Sequence, residues 1–280
     1  MPSMIDLEKM SGLPIALEKT RLVFRNGLEE VEPATRTIEQ MRPFLLDGNA
    51  NFRKPIVYYM YRNVGLKKDR EIFMENNLRY DLTVMENGKI GQEFVKTIGH
   101  YHPLKPGTKS RYPEIYEIIY GHALLIMQKI EEDESKIAEV CIVTATAGEK
   151  VVMLPGCGHV TVNISNGPLV MGNIVSNQFN SVYAPYKEKR GASYYILERN
   201  GRPEPYPNKL YGAILDPQIL KPKQSFLNVS KGTPLYVTVS EDLEKFKWLN
   251  FPEEFLQELT TEKLFNDTSL LLDRELGLNV

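Results

Sequence analysis

Between residues 55 and 175 the chain is a succession of short β-rich segments. PIVYYMYR, RYDLTVM, QEFVKTI, EIYEIIY, HALLIMQKI, AEVCIVTA, KVVMLP, HVTVNIS and PLVMGNIV follow one another with little between them. Glycine punctuates the run at Asn87-Gly88, Gly121, Gly148, Gly156 and Asn166-Gly167. Many short strands with turn signals between them restrict the chain to an all-β sandwich or barrel. The flanks read differently. In TRLVFRNGLEEVE, over 20–32, Asn26-Gly27 predicts a hairpin. Residues 34–46 have the spacing of a helix, with Ile38, Met41, Phe44 and Leu45 on one side and Pro43 as its kink or end. SYYILER predicts one more strand, GRPEPYPNKLYG an irregular connection, and PLYVTV at 234–239 a last strand. Helices are expected after that: EDLEKFKWL starting at Ser240, then FPEEFLQELT and TSLLLDRELG, with Gly277 as the stop. The expected organisation is an N-terminal hairpin and helix over 1–54, a barrel over 55–199, and an irregular connection with a helical extension over 200–280.

With 280 residues, 42% of them hydrophobic, the chain can bury a core without disulfide staples. A net charge of −2 supplies no basic field for nucleic acid. The stretch from Lys187 to Arg190 reads as a solvated loop. The first residues carry acids and lack a continuous apolar run, so no signal peptide is expected. No segment is apolar for long enough to span a bilayer. The expectation is a cytoplasmic protein that binds neither membrane nor nucleic acid.

The chain has only four histidines. His100 and His102 are two residues apart, and in an extended strand such residues project from the same face. Glu114 opens the next strand-like segment, after a loop containing Pro and Gly, and a hairpin would bring it beside the pair. His159 opens a further strand. Three imidazoles and a carboxylate suit a divalent Fe, Mn, Ni, Zn or Cu ion and leave positions for substrate or water. His122 follows Gly121 in an expected turn and reads as a surface residue. Cys141 reads as a small core residue. Cys157 is a possible thiol ligand, but four better ligands are already present.

The spacing resembles the two motifs of the cupin superfamily. The first is matched by Gly99, His100, His102, Glu114 and Gly121, the second by Gly148, Gly156, His159 and Asn163. The gap between His102 and Glu114 is longer than usual, and Leu154 stands where the motif has proline. A narrower resemblance runs through Thr97-Ile-Gly99-His100-Tyr-His102, Glu114-Ile-Tyr116, Gly121 to Gln128, and His159-Val-Thr-Val-Asn163-Ile. It is to the cupin-type glucose-6-phosphate isomerases of archaea and some bacteria, and it covers roughly residues 20–195.

That resemblance implies a mainly β cupin barrel (a double-stranded β-helix or jelly roll). It implies one divalent ion per subunit, Fe2+ first, with Mn2+, Ni2+ and Zn2+ as alternatives. His100, His102, Glu114 and His159 would hold it. Glu114 would also be the catalytic base, with Tyr116 positioning substrate hydroxyls. Thr83, Thr97, Gly99 and Tyr183, with Tyr58 as a lesser member, would bind the phosphate of a phosphorylated hexose. A homodimer working in glycolysis and gluconeogenesis is also implied. One segment departs from the family. In IVSNQFNSVY only Tyr183 is kept, and Val175 and Ser181 stand at the places of a tyrosine and a histidine. Mannose 6-phosphate isomerisation, and sugar binding without turnover, are the alternative functions. Thr83, Thr97 and Tyr183 count against a fourth reading, an iron-dependent dioxygenase.

Overall fold

A computed structural model describes residues 4–131, 136–227 and 229–268 of the chain. The chain is mainly β and has the jelly-roll organisation expected of a cupin. Its central strands are β1 (Ile56–Tyr61), β2 (Leu78–Met85), β3 (Glu114–Tyr120), β4 (His122–Ile130), β5 (Ile137–Thr146), β6 (Lys150–Met153), β7 (Cys157–Asn163) and β8 (Leu169–Ser176). One sheet runs β6-β3-β8-β2-β1 and ends on an edge strand, Ala34–Thr37. The other runs β7-β4-β5 and continues into Gln218–Pro222 and Phe265–Asp267. The segment 95–101 lies along the free edge of β7, with Lys96 opposite Val162 and His100 opposite His159.

These strands form because their residues fit a surface covered on both sides. β8 is buried along its whole length, and β3 everywhere except Tyr120. Antiparallel pairing then fixes which side chains share the inner face. Across the first sheet, Glu114 faces Val175, Tyr116 faces Asn173, and Met171 faces both Ile118 and Thr83. Residues paired in this way point to the same side. In the second sheet, Met127 faces His159.

The flanks depart from expectation in several places. Asn26 and Gly27 do take positive φ, of 49° and 76°. The paired strands, however, are Ile15–Glu18 and Arg21–Phe24, joined across Lys19 and Thr20. The acidic residues after Gly27 do not form the second arm. Residues 34–37 are a strand rather than the start of a helix, and they pair with β1. The helix begins only at Ile38, where Thr37 and Gln40 close a capping box, and it tightens into a 3-10 turn at Pro43. Within QEFVKTI only Glu93–Phe94 is a regular strand. The stretch expected to be irregular contains the strand Arg202–Pro207, paired with Tyr194–Arg199. It carries Pro203, Pro205 and Pro207 at alternate positions on a sheet edge, so every missing donor faces the unpaired side.

PLYVTV is not a strand. Leu235–Glu241 is a helix, and Leu235, Tyr236, Thr238 and Val239 are buried. EDLEKFKWL is a 3-10 helix, Leu243–Leu249, capped by Asp242 rather than Ser240. FPEEFLQELT keeps only the short turn Pro252–Glu254 and loop. The helix expected over TSLLLDRELG, with Gly277, lies outside the described residues apart from Thr268. No helix among the described residues is long and apolar enough to cross a membrane.

Candidate metal centre

His100, His102, Glu114 and His159 meet at one point. One ligand atom from each lies within 4.8 Å of all the others. Glu114 comes from one sheet at the start of β3, and His159 from the other on β7. His100 hangs from the edge of β7, where its carbonyl accepts from His159 N–H at 3.1 Å. Alternation turns Tyr101 the other way, against Tyr186 at 5.2 Å between ring centroids, and leaves the two histidines on the inner side.

Hydrogen bonds orient the ligands. Nδ1 of His102 lies 2.9 Å from the Tyr112 carbonyl, which places the proton there and leaves the Nε2 lone pair free. That Nε2 is 3.3 Å from Nε2 of His100 and 3.5 Å from Oε2 of Glu114. Nε2 of His159 is 3.3 Å from the same Oε2. Oε1 of Glu114 accepts from Asn173 Nδ2 at 2.6 Å. Desolvation, with the neighbouring imidazoles, pulls His100 well below its ordinary pKa, and desolvation pulls His159 down too. Burial opposes the charge on Glu114, but the His102 and His159 side chains beside it prevail and hold the carboxyl well below its usual range. Converging lone pairs around an ionised carboxylate fit a divalent cation, because the pairs would otherwise repel one another.

The centre opens into a cavity of about 60 Å³. Tyr116 lies in its wall with its hydroxyl 3.4 Å from His159 Nε2. Burial, with Glu114 nearby, keeps that phenol protonated far above its ordinary value. Tyr58, Thr83, Thr97 and Tyr183 all line the cavity, as do Val175 and Ser181. Gly99 lies behind the wall. A Cβ there would stand 2.2 Å from the Tyr186 ring and 2.6 Å from Val160, so close packing alone requires glycine. Cys157 is not in the ligand cluster, and burial pushes its thiol up to about 12. His122 is also outside the cluster.

Several cavity residues were not singled out from the sequence: Arg36, Arg62, Arg79, Asn173 and Phe179. Period-two counting would have found two of them. Arg62 follows Tyr58 and Met60 at alternate positions, and Arg79 precedes Asp81 and Thr83 on the same face of the sheet. Phe179 packs 4.4 Å from the His102 ring and 4.8 Å from Tyr112, closing one side of the centre. No sequence signal marks it.

A family model described as Glucose-6-phosphate isomerase (GPI) matches residues 38–209. Glucose-6-phosphate isomerase of Thermococcus litoralis is 26% identical over 189 residues, 65% of this chain and 90% of that protein. That of Pyrococcus furiosus is 27% identical over 184 residues, 64% and 88% of the two chains. That of Thermococcus onnurineus is 30% identical over 170 residues, 59% and 80%. Among solved structures, oxalate decarboxylase from Bacillus subtilis superposes with a TM-score of 0.32 at 17% identity, covering 45% of this chain and 28% of that one.

Proposed function

The chain belongs to the glucose-6-phosphate isomerase family, and on that premise we propose that it interconverts glucose 6-phosphate and fructose 6-phosphate as a metal-dependent aldose–ketose isomerase. The observation that carries this reading is a cluster of three imidazoles and a carboxylate at one end of a cavity whose wall carries several hydroxyls. His100, His102, Glu114 and His159 would hold the ion. A divalent ion there supplies the Lewis acidity that favours the negative charge of an enediolate.

The other roles fall to the chain's own side chains. Glu114 is ionised at neutral pH and can take a proton from C1 or C2 of the opened sugar and return it to the other carbon. Asn173 holds one oxygen of Glu114 and so fixes the direction of the other. Tyr116 stays protonated and can donate to a substrate hydroxyl. Thr83, Thr97, Tyr58 and Tyr183 offer hydroxyls to the phosphate. Fe2+ is the first ion to test. The same reading has the enzyme acting as a homodimer in the cytoplasm.

The test is the identity of the product. Metal-loaded protein given fructose 6-phosphate should release glucose 6-phosphate. Mannose 6-phosphate as sole product would transfer the assignment to that sugar. Binding without product would leave a sugar-phosphate-binding protein.

A further inference from the structure

Three arginines line the cavity, and their partners differ. Arg62 and Arg79 share one carboxylate, with contacts of 2.6 and 2.9 Å to Oδ2 of the fully buried Asp81. Arg62 also lies at the metal end, where Glu114 and Tyr116 act on it. Arg36 makes no ion pair among the described residues, and its Nε is buried with no hydrogen-bond partner. A buried donor without a partner costs stability and calls for an explanation.

Its position supplies one. Arg36 is on the edge strand directly opposite Tyr58, four strands across the sheet from Glu114. The Tyr58 hydroxyl accepts from Ile98 N–H at 3.2 Å. Burial raises that phenol, while the Arg36 guanidinium beside it pulls the other way, and Tyr183 acts on the same group. Thr83 is on β2, which pairs with the Tyr58 strand. The Thr97 hydroxyl already accepts from Thr161 N–H at 3.0 Å and keeps its own proton to donate. This end of the cavity therefore gathers hydroxyl donors around one cation that has no carboxylate partner among the described residues.

Hydroxyls can bond a phosphate monoester but cannot balance its charge. A dianion leaving water needs a cation as well. We propose that Arg36 is the cationic anchor of the substrate's phosphate and sets the preference for phosphorylated over free sugars. This rests on the reading that the substrate is a hexose phosphate. Arg62 and Arg79 are tied to Asp81 at the other end and keep that wall in place.

The test uses metal-loaded full-length protein with Arg36→Met and Arg36→Lys. Sorbitol 6-phosphate and sorbitol serve as calorimetric probes, since neither can be isomerised. Wild type should bind sorbitol 6-phosphate and not sorbitol. Arg36→Met should weaken sorbitol 6-phosphate binding roughly 10- to 150-fold, the loss expected for one charge-assisted bond. KM for fructose 6-phosphate should rise in step, while kcat and metal content change little. Arg36→Lys should recover part of the loss, which a merely structural role would not predict. Unchanged binding of sorbitol 6-phosphate by a folded Arg36→Met would overturn the assignment. Wild type that binds the probe through Arg36 yet does not isomerise fructose 6-phosphate would overturn the catalytic reading alone.

Discussion

At the scale of single residues, the proposed double role of Glu114, ligand and base, rests on its two oxygens having different neighbours. Oε2 faces the imidazoles, and Oε1 is held by Asn173. Replacing Asn173 with Leu should free the carboxylate to rotate and lower metal affinity or turnover roughly 10- to 100-fold. A metal-competition titration beside the rate assay reads both. Glu114→Gln, with metal retained, should lose roughly 100-fold or more in turnover. Near-normal rates would exclude the base role. In deuterated water, label should enter the product if Glu114 moves the proton, and none should enter if hydrogen passes directly between the carbons. The clustering of His100, His102, Glu114 and His159 was legible in the sequence because histidine is scarce here and two of the four residues sit at strand spacing. Asn173 and Arg36 were not. Asn173 lies in an otherwise apolar strand, and Arg36 in a stretch with helical spacing, so neither stands out until pairing puts it on the cavity wall.

Among elements, the central strands β1 to β8 were legible because apolar and β-branched residues alternate with glycine turns, and their register follows from that pattern. The C-terminal elements were not, because tertiary contacts override local preference there. Leu235–Glu241 carries β-forming residues, yet it is a helix bound at several points. Leu235 N–H donates to Glu117 at 2.8 Å, and Tyr236 donates to Asp69 at 2.6 Å. Glu117 in turn meets Lys150 at 2.8 Å, both buried, and Lys150 reaches the Thr233 carbonyl at 2.6 Å. Glu117→Leu alone strands the lysine and should cost about 3 kcal/mol in urea unfolding. Adding Lys150→Met should restore most of it. Burial pushes the Glu117 carboxyl up to about 7 from 4.5, while Lys150 pulls it back down. The native state thus holds more protons than the unfolded chain between those values, and this group's contribution to stability falls as pH rises through that window. Wild type should lose melting temperature relative to the double variant between pH 4.5 and 7. A constant difference would refute the shift.

For the whole molecule, the relatives match over most of their own length but over only about two thirds of this chain. Much of the remainder is built into the structure. Gln218–Pro222 and Phe265–Asp267 extend the sheet that carries β7, while Phe246, Trp248 and Leu249 are buried. Removing everything after residue 212 should expose these faces and leave Lys150 without its Lys231 and Thr233 carbonyls. The shortened chain is expected to aggregate or melt well below the full one in a thermal scan, and an unchanged melting temperature would show the extension to be dispensable. The extended architecture still leaves a cavity that runs from His100, His102 and Glu114 to the hydroxyl-lined wall. Titration of metal back into chelator-stripped protein, followed by conversion of fructose 6-phosphate to glucose 6-phosphate, tests that account most directly. Turnover should be absent in the stripped protein and return in proportion to bound ion, saturating at about one per chain, as a single site of this kind requires. Full turnover without metal would contradict it.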